Sequence, residues 1–165
     1  MVRRLDTGEP EASDPDLLAH VESSAVAALV RLVGYWTSED FQGLLAERAG
    51  VKVESRDVPA LFMLARLNPV RPSVLAHALH VSAGNVSRTL QRLGSLGYTI
   101  RTADPEDARA SLVSLTQSGS DRATLLSREG ERLFGELLRP WPSTEIISFS
   151  AMLVRFADAV GAPDA

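Results

Sequence analysis

Residues 75–119 read LAHALHVSAGNVSRTLQRLGSLGYTIRTADPEDARASLVSLTQSG, and they decide the fold. Leu75, Ala76 and Leu79 give a short helix with one apolar face. Val86, Leu90 and Leu93 recur at i, i+4 and i+7 and give a second. His80-Val81-Ser82 leaves room only for a tight turn between them. Ser82 suits the N-cap, because its hydroxyl can accept a free backbone N–H of the first helical turn. Two helices joined this way pack across each other, with the second facing solvent. Gly97 follows that helix, where glycine suits the left-handed C′ position. Thr99–Arg101 and Ser111–Thr116 read as strands with Ile100, Leu112 or Val113, and Leu115 as apolar positions. Asp104-Pro105 starts a long polar turn between them. The pattern is a helix-turn-helix followed by a β-hairpin wing.

With Val86, Leu90 and Leu93 turned inward, the outer and flanking positions of the second helix are Gly84, Asn85, Ser87, Arg88, Gln91 and Arg92. None is acidic. Arginine can take two acceptors of guanine, asparagine can pair with adenine, and serine can serve base or phosphate. Ser82 stands ready for a phosphate. On the wing, Asp104 or Asp107 can brace Arg109 or Arg101, and a braced guanidinium suits a narrow minor groove. These residues together predict an interface for double-stranded DNA. The plain alternatives are a solvated helix face and a hairpin salt bridge that only stiffens its own loop.

The same residues resemble the MarR-type (multiple antibiotic resistance) transcriptional regulators. The resemblance is carried by Leu75-Ala76-x-x-Leu79-x-Val81-Ser82, Val86-Ser87-Arg88 and Leu93-x-x-Leu96-Gly97-Tyr98. It continues through Arg101, Asp104, Asp107-x-Arg109 and Leu115-Thr116-x-x-Gly119. His80 departs from it, at a turn position where glycine is common. The segment Tyr35–Val53 is also longer than the family's usual connection. The resemblance implies a winged helix-turn-helix flanked by intertwined N- and C-terminal helices, and a homodimer on a pseudo-palindromic operator. It also implies a response to a small molecule, with repression the commoner outcome.

The whole chain reads as mainly α, in four parts. Residues 1–13 are a polar, disordered tail; 14–54 hold N-terminal helices; 55–119 form the winged domain; 120–165 hold C-terminal helices. Pro15 starts a helix with an apolar stripe through Leu18, Leu29 and Trp36. Thr37-Ser38-Glu39-Asp40 opens a short helix over Phe41–Arg48, closed by Gly50. Ser55 is expected to cap the next helix, with Val58, Leu61, Phe62 and Ala65 facing the core. After the wing, a helix over about Asp121–Leu138 carries Leu126, Leu133, Phe134 and Leu137. Pro140 and Pro142 break the chain before a last helix, about Thr144–Val160. The stripes of the first and last helices exceed what a small winged module can cover. The two stripes either pack on each other within one chain or continue across a two-fold axis, and in the second case Leu18, Leu29, Phe149, Leu153 and Phe156 are the expected dimerisation residues. Tyr35, Trp36 and Phe41, with Phe62 on the following helix, either simply fill core or wall a cavity for a small aromatic or apolar effector at the junction, with Arg31 or His20 for a carboxylate.

Charge distribution agrees. The chain has 165 residues and a net charge of −4. Residues 69–119 carry five arginines against three acids, a net of +2 that leaves −6 for the remainder. A mildly basic module on an acidic body attracts phosphate locally and opposes non-specific binding. There is no cysteine, so disulfides, thiolate metal sites and cysteine-based peroxide sensing are excluded. No signal peptide or membrane-length apolar run is evident, which predicts a cytoplasmic protein with no membrane partner. His77 and His80 lack acidic or thiol companions, and no nucleophile elbow or phosphate-binding glycine loop occurs. The sequence therefore predicts neither metal, cofactor nor enzymatic activity. Two other readings share the fold: a winged-helix module that binds protein, and a small-molecule carrier or enzyme built on the helical body.

Overall fold

The computed structural model describes residues 15–107 and 109–161, with side chains from 24 to 159. The side chains of Leu18 and His20 therefore lie outside the described part, as does the tail. Seven helices and one hairpin follow in the order α1 (Pro15–Trp36), α2 (Glu39–Arg48), α3 (Val58–Leu67), α4 (Pro72–Ala78), α5 (Ala83–Ser95), β1 (Thr99–Ala103), β2 (Ser111–Leu115), α6 (Gln117–Leu138) and α7 (Ser143–Gly161).

The core lies under the helix-turn-helix. Leu61 and Leu64 of α3, Leu75 of α4, Leu93 of α5, Val113 of β2 and Leu126 of α6 are fully buried together. Truncating one of these leucines to alanine costs about 2–5 kcal/mol, the lost transfer energy plus the cavity left behind. Val86, Leu90 and Leu93 all face inward as their spacing predicts. Ala65 does not: it is exposed, and Leu64 fills that place on the inner face of α3. Ile100 is also exposed, because only the opposite face of the twisted hairpin meets the core, through Val113.

Local chemistry sets the boundaries. Ser38 caps α2 by accepting the Phe41 N–H, and Glu39 and Asp40 suit the positive end of that helix. Gly50 and Gly97 take positive φ after α2 and α5. His80 sits at φ 53 in the turn between α4 and α5, so the departure from glycine is a real left-handed residue that carries a side chain. Ser55 does not cap a helix. It begins a 3₁₀ turn, Ser55–Asp57, and α3 starts only at Val58 with Pro59 in its first turn.

The wing is an antiparallel pair with Thr99 opposite Leu115 and Ala103 opposite Ser111. Val70 adds a short third rung, exchanging both backbone bonds with Val113 at 3.0 and 2.8 Å. The run Leu115-Thr116-x-x-Gly119 is a junction. Thr116 Oγ1 donates to the Gly97 carbonyl at 2.6 Å and accepts the Gly119 N–H at 3.0 Å, while the Thr116 N–H donates to the Tyr98 carbonyl. That cap starts α6 at Gln117, four residues before the position expected from sequence. A Cβ on Gly119 would stand 2.0 Å from the Tyr98 carbonyl oxygen, so glycine is required by space there.

Candidate nucleic-acid interface

The exposed side of α5 carries the residues singled out from sequence. Ser82 caps the helix, accepting the Asn85 N–H at 3.3 Å. Gly84, Asn85, Ser87, Arg88 and Gln91 are all exposed. Arg88 Nη2 donates to Asn85 Oδ1 at 2.5 Å, so the two side chains stand as one unit one turn apart on the helix. That bond leaves the Asn85 amide N–H₂ and further guanidinium N–H groups of Arg88 facing outward. No acidic side chain lies on this face.

Arg92 takes a flanking position and is half-buried. Its guanidinium turns back onto the domain and clamps Asp57, with Nε on Oδ2 and Nη2 on Oδ1, both at 2.6 Å. Asp57 is 1% exposed and also accepts from Thr89 Oγ1 at 2.8 Å. The carboxylate hydrogen bond raises the Arg92 pKa. Sequence reasoning missed Asp57 and Thr89. Asp57 holds the N-cap position of α3 without a side-chain capping bond, and nothing near it in sequence marks its distant partners.

The wing is braced by other bonds than those expected. Asp104, 6% exposed, pairs with Arg71 at the start of α4 rather than with Arg101 or Arg109; Nε to Oδ2 is 2.6 Å. Asp104 also accepts the Glu106 N–H at 2.9 Å. The Glu106 backbone bond and then Arg71 hold its carboxyl below the usual carboxylate range, and Asp104 raises Arg71 in return. Asp107 caps the wing turn by accepting the Arg109 backbone N–H at 3.0 Å, leaving the guanidinium alone. Among the described residues, Arg101 and Arg109 form no salt bridge, and both are exposed.

At the junction, aromatic rings fill one another's space. Trp36 meets Phe41 and Phe134, each with centroids 6.1 Å apart, and Phe134 stacks on Phe149 at 6.3 Å. Tyr35 leans on Phe41 at 5.1 Å and is 55% exposed. These contacts pack the junction aromatics against one another, the core-filling arrangement of the two read from sequence. Two grooves lie elsewhere, on either side of α5. One, of about 470 Å³, runs between Lys52–Glu54 and Gln91–Leu96; the other, of about 590 Å³, runs between Arg56–Ala60 and Asn85–Arg92. Neither is lined by Arg31, Tyr35, Trp36, Phe41 or Phe62. No helix of the described residues is long and apolar enough to cross a membrane.

A cross-packed helix pair, a solvent-facing second helix and a hairpin beside it define a winged helix-turn-helix protein. The sequence model described as the MarR family matches residues 42–110, the stretch from α2 through the wing. A curated relative from Bacillus subtilis (strain 168), the uncharacterized HTH-type transcriptional regulator YdgJ, is 33% identical over 78 residues. That match spans 47% of this chain and 48% of YdgJ, so it covers about half the length of the relative. Among solved structures, a crystal structure of MarR aligns over 94% of this chain and 95% of its own, with TM-score 0.62 and 23% identity. Apo wild-type MarR from E. coli aligns over 79% and 94%, with TM-score 0.67 and 21% identity. YusO from Bacillus subtilis aligns over 89% and 99%, with TM-score 0.60 and 19% identity. These likenesses bear on fold, which extends to the helices on both sides of the winged domain.

Proposed function

We propose that this chain is a sequence-specific double-stranded DNA-binding transcriptional regulator, acting as a homodimer on a pseudo-palindromic operator. The observation that carries the reading is the outer face of α5. It is acid-free, capped at its start by Ser82, and it presents the paired Asn85 and Arg88 with Ser87 and Gln91 beside them. A helix of this kind fits the major groove, where bidentate donors read purines. Ser82 serves a phosphate, and Arg101 and Arg109 reach for the backbone or minor groove from the wing. Arg92, engaged by Asp57, serves the helix more than the DNA. The chemistry is binding, and no step of catalysis is assigned to it.

The homodimer reading rests on apolar surface that one chain leaves open. On α1, Val26 and Val30 are 61% and 67% exposed; on α7, Ile147 is 69% exposed. Leu29, Leu153 and Phe156 share this exposure, and the half-buried Phe149 links α7 to the aromatic row. Apolar side chains left exposed together along helices mark association. Repression, with release by a small aromatic or apolar effector, completes the proposal. An effector at the junction has to open the row of Trp36, Phe41 and Phe134, and exposed Tyr35 and Arg31 are its accessible members.

A gel shift with the full chain on the DNA upstream of its own coding sequence tests the reading. A salt-sensitive complex that resists a scrambled competitor of equal length is the expected result. Arg88→Ala is then expected to lose about 1–3 kcal/mol on that duplex, the value of one bidentate base contact. Equal binding to both duplexes by the wild-type chain would overturn the proposal.

A further inference from the structure

We infer that Asp57, which lies outside the helix-turn-helix, is the positioning residue of the recognition helix, holding α5 at one rotation about its axis. The inference rests on the DNA-binding reading above for its consequence, and on geometry for its substance. Both oxygens of one buried carboxylate are used by α5. Oδ2 takes Arg92 Nε, and Oδ1 takes Arg92 Nη2 and Thr89 Oγ1. Thr89 and Arg92 are three residues apart and lie on the same side of the helix. Arg92 Nη2 also donates to Thr89 Oγ1 at 3.2 Å, closing the triangle. A bidentate guanidinium–carboxylate pair tolerates little change of angle. The core residues Val86, Leu90 and Leu93 fix the depth of α5, but apolar packing tolerates small rotations better than this fork does.

The cost of the arrangement shows that it is not incidental. Asp57 occupies the N-cap position of α3 and makes no capping bond there, since its oxygens are spent on α5. Glu54, 3.6 Å from Arg92 Nε, adds a second carboxylate to the same guanidinium, and Arg56 holds Glu54 in turn. Asn85, Ser87, Arg88 and Gln91 project from the solvent side of the helix that this anchor holds. A rotation of α5 moves their tips more than its axis, so it degrades base reading before it degrades phosphate attraction.

Asp57→Asn keeps the size and one acceptor but removes the charge and the matched fork. Binding is measured for the full-length variant and wild type on the upstream duplex and on its scrambled counterpart. The ratio of the two affinities is expected to fall about tenfold or more, with scrambled-duplex affinity unchanged. A variant that loses affinity equally for both has merely lost folded protein, and that result overturns the inference. So does a gain on the scrambled duplex with a steeper salt dependence, since it would make Arg92 a DNA contact that Asp57 had masked. A readout without DNA keeps the two proposals separable. Amide exchange over Val86–Leu93 is expected to quicken in Asp57→Asn while Ala123–Leu126 of α6 stays as in wild type. Equal exchange in both segments overturns the anchor even if the operator reading stands. A wild-type chain that prefers no duplex ends the operator reading, and the exchange result still decides the anchor.

Discussion

Arg71 and Asp104 stand 33 residues apart in sequence and 2.6 Å apart in space, joining the N-cap of α4 to the start of the wing's tip loop. The hairpin is two strands only, and an isolated pair of that size is marginal in water. Its position is set by the Val70–Val113 rung on one side and by this ion pair on the other. Asp104 is therefore expected to report on wing anchoring through pH. Its folded pKa is depressed below the ordinary 3.8. A depressed carboxylate contributes stability that is fully present above its unfolded value and lost as pH falls through the folded one. Acid unfolding of the wild type should therefore steepen below about pH 4, and Asp104→Asn should lack that part of the curve. Parallel acid-unfolding curves for the two proteins would remove the pair from any anchoring role.

Gly119 makes a second, purely steric case. Its Cβ position falls 2.0 Å from the Tyr98 carbonyl oxygen, which already accepts from Thr116. Backbone must move to admit a methyl group, and the strand end, the α6 cap and the Tyr98 ring move with it. Gly119→Ala is expected to lose about 3 kcal/mol, the upper part of the overpacking range. Denaturant midpoints measure this, with Gly130→Ala in the same helix as the control, where nothing lies within 4 Å of the added carbon. The control should gain slightly, since alanine favours a helix interior.

How far the sequence discloses this fold depends on the range of the interaction. The turn at Ser82, the stripe of Val86, Leu90 and Leu93 and the cap at Ser38 are set by neighbours within four residues, and periodicity finds them. The partners of Asp57 and Asp104 are not local. Asp57 meets Arg92 35 residues on, and Asp104 meets Arg71 33 residues back. Sequence offers nearer arginines for each, so Arg109 and Arg101 look like the braced pair and Arg92 looks free. Leu64 and Ala65 adjoin on one helix, and a shift of one residue, 100° of rotation, decides which is buried. The junction aromatics were legible as a cluster because Tyr35, Trp36 and Phe41 adjoin. That they meet Phe134 and fill the space needed the fold of α6 against α2, with Arg48 reaching Glu136 at 3.5 Å.

Arg109 tests the wing. Asp107 fixes its backbone and leaves its guanidinium exposed, so its role on DNA is that of a charge on a shaped loop. Arg109→Ala is expected to weaken operator binding and to shallow the slope of log affinity against log salt by about 0.9, one phosphate-like contact. Asp107→Ala should loosen the turn and weaken binding with that slope retained. A salt slope unchanged in Arg109→Ala would confine the wing to a structural part.

The apolar surface of α1 and α7 carries the last expectation. Leu153 is 38% exposed and Phe156 is 52% exposed, on the helix that also shows Ile147 and Val154 to solvent. A second copy of the same chain is the partner most available to cover them, and a two-fold axis would let α1 and α7 of each protomer do so. An obligate interface of that kind usually buries more than about 2,000 Å². Phe156→Asp places a charge in the middle of that surface, where desolvation without a counter-charge costs several kcal/mol. Sedimentation at micromolar concentration is expected to give a dimer for the wild type and a folded monomer or an aggregate for Phe156→Asp. The winged domain, whose core excludes α7, should keep its helical signal in the variant. Operator affinity should fall steeply, because one half-site contact no longer brings the other with it. A wild-type chain that sediments as a folded monomer at that concentration would leave α1 and α7 without a two-fold role and take the palindromic operator with it.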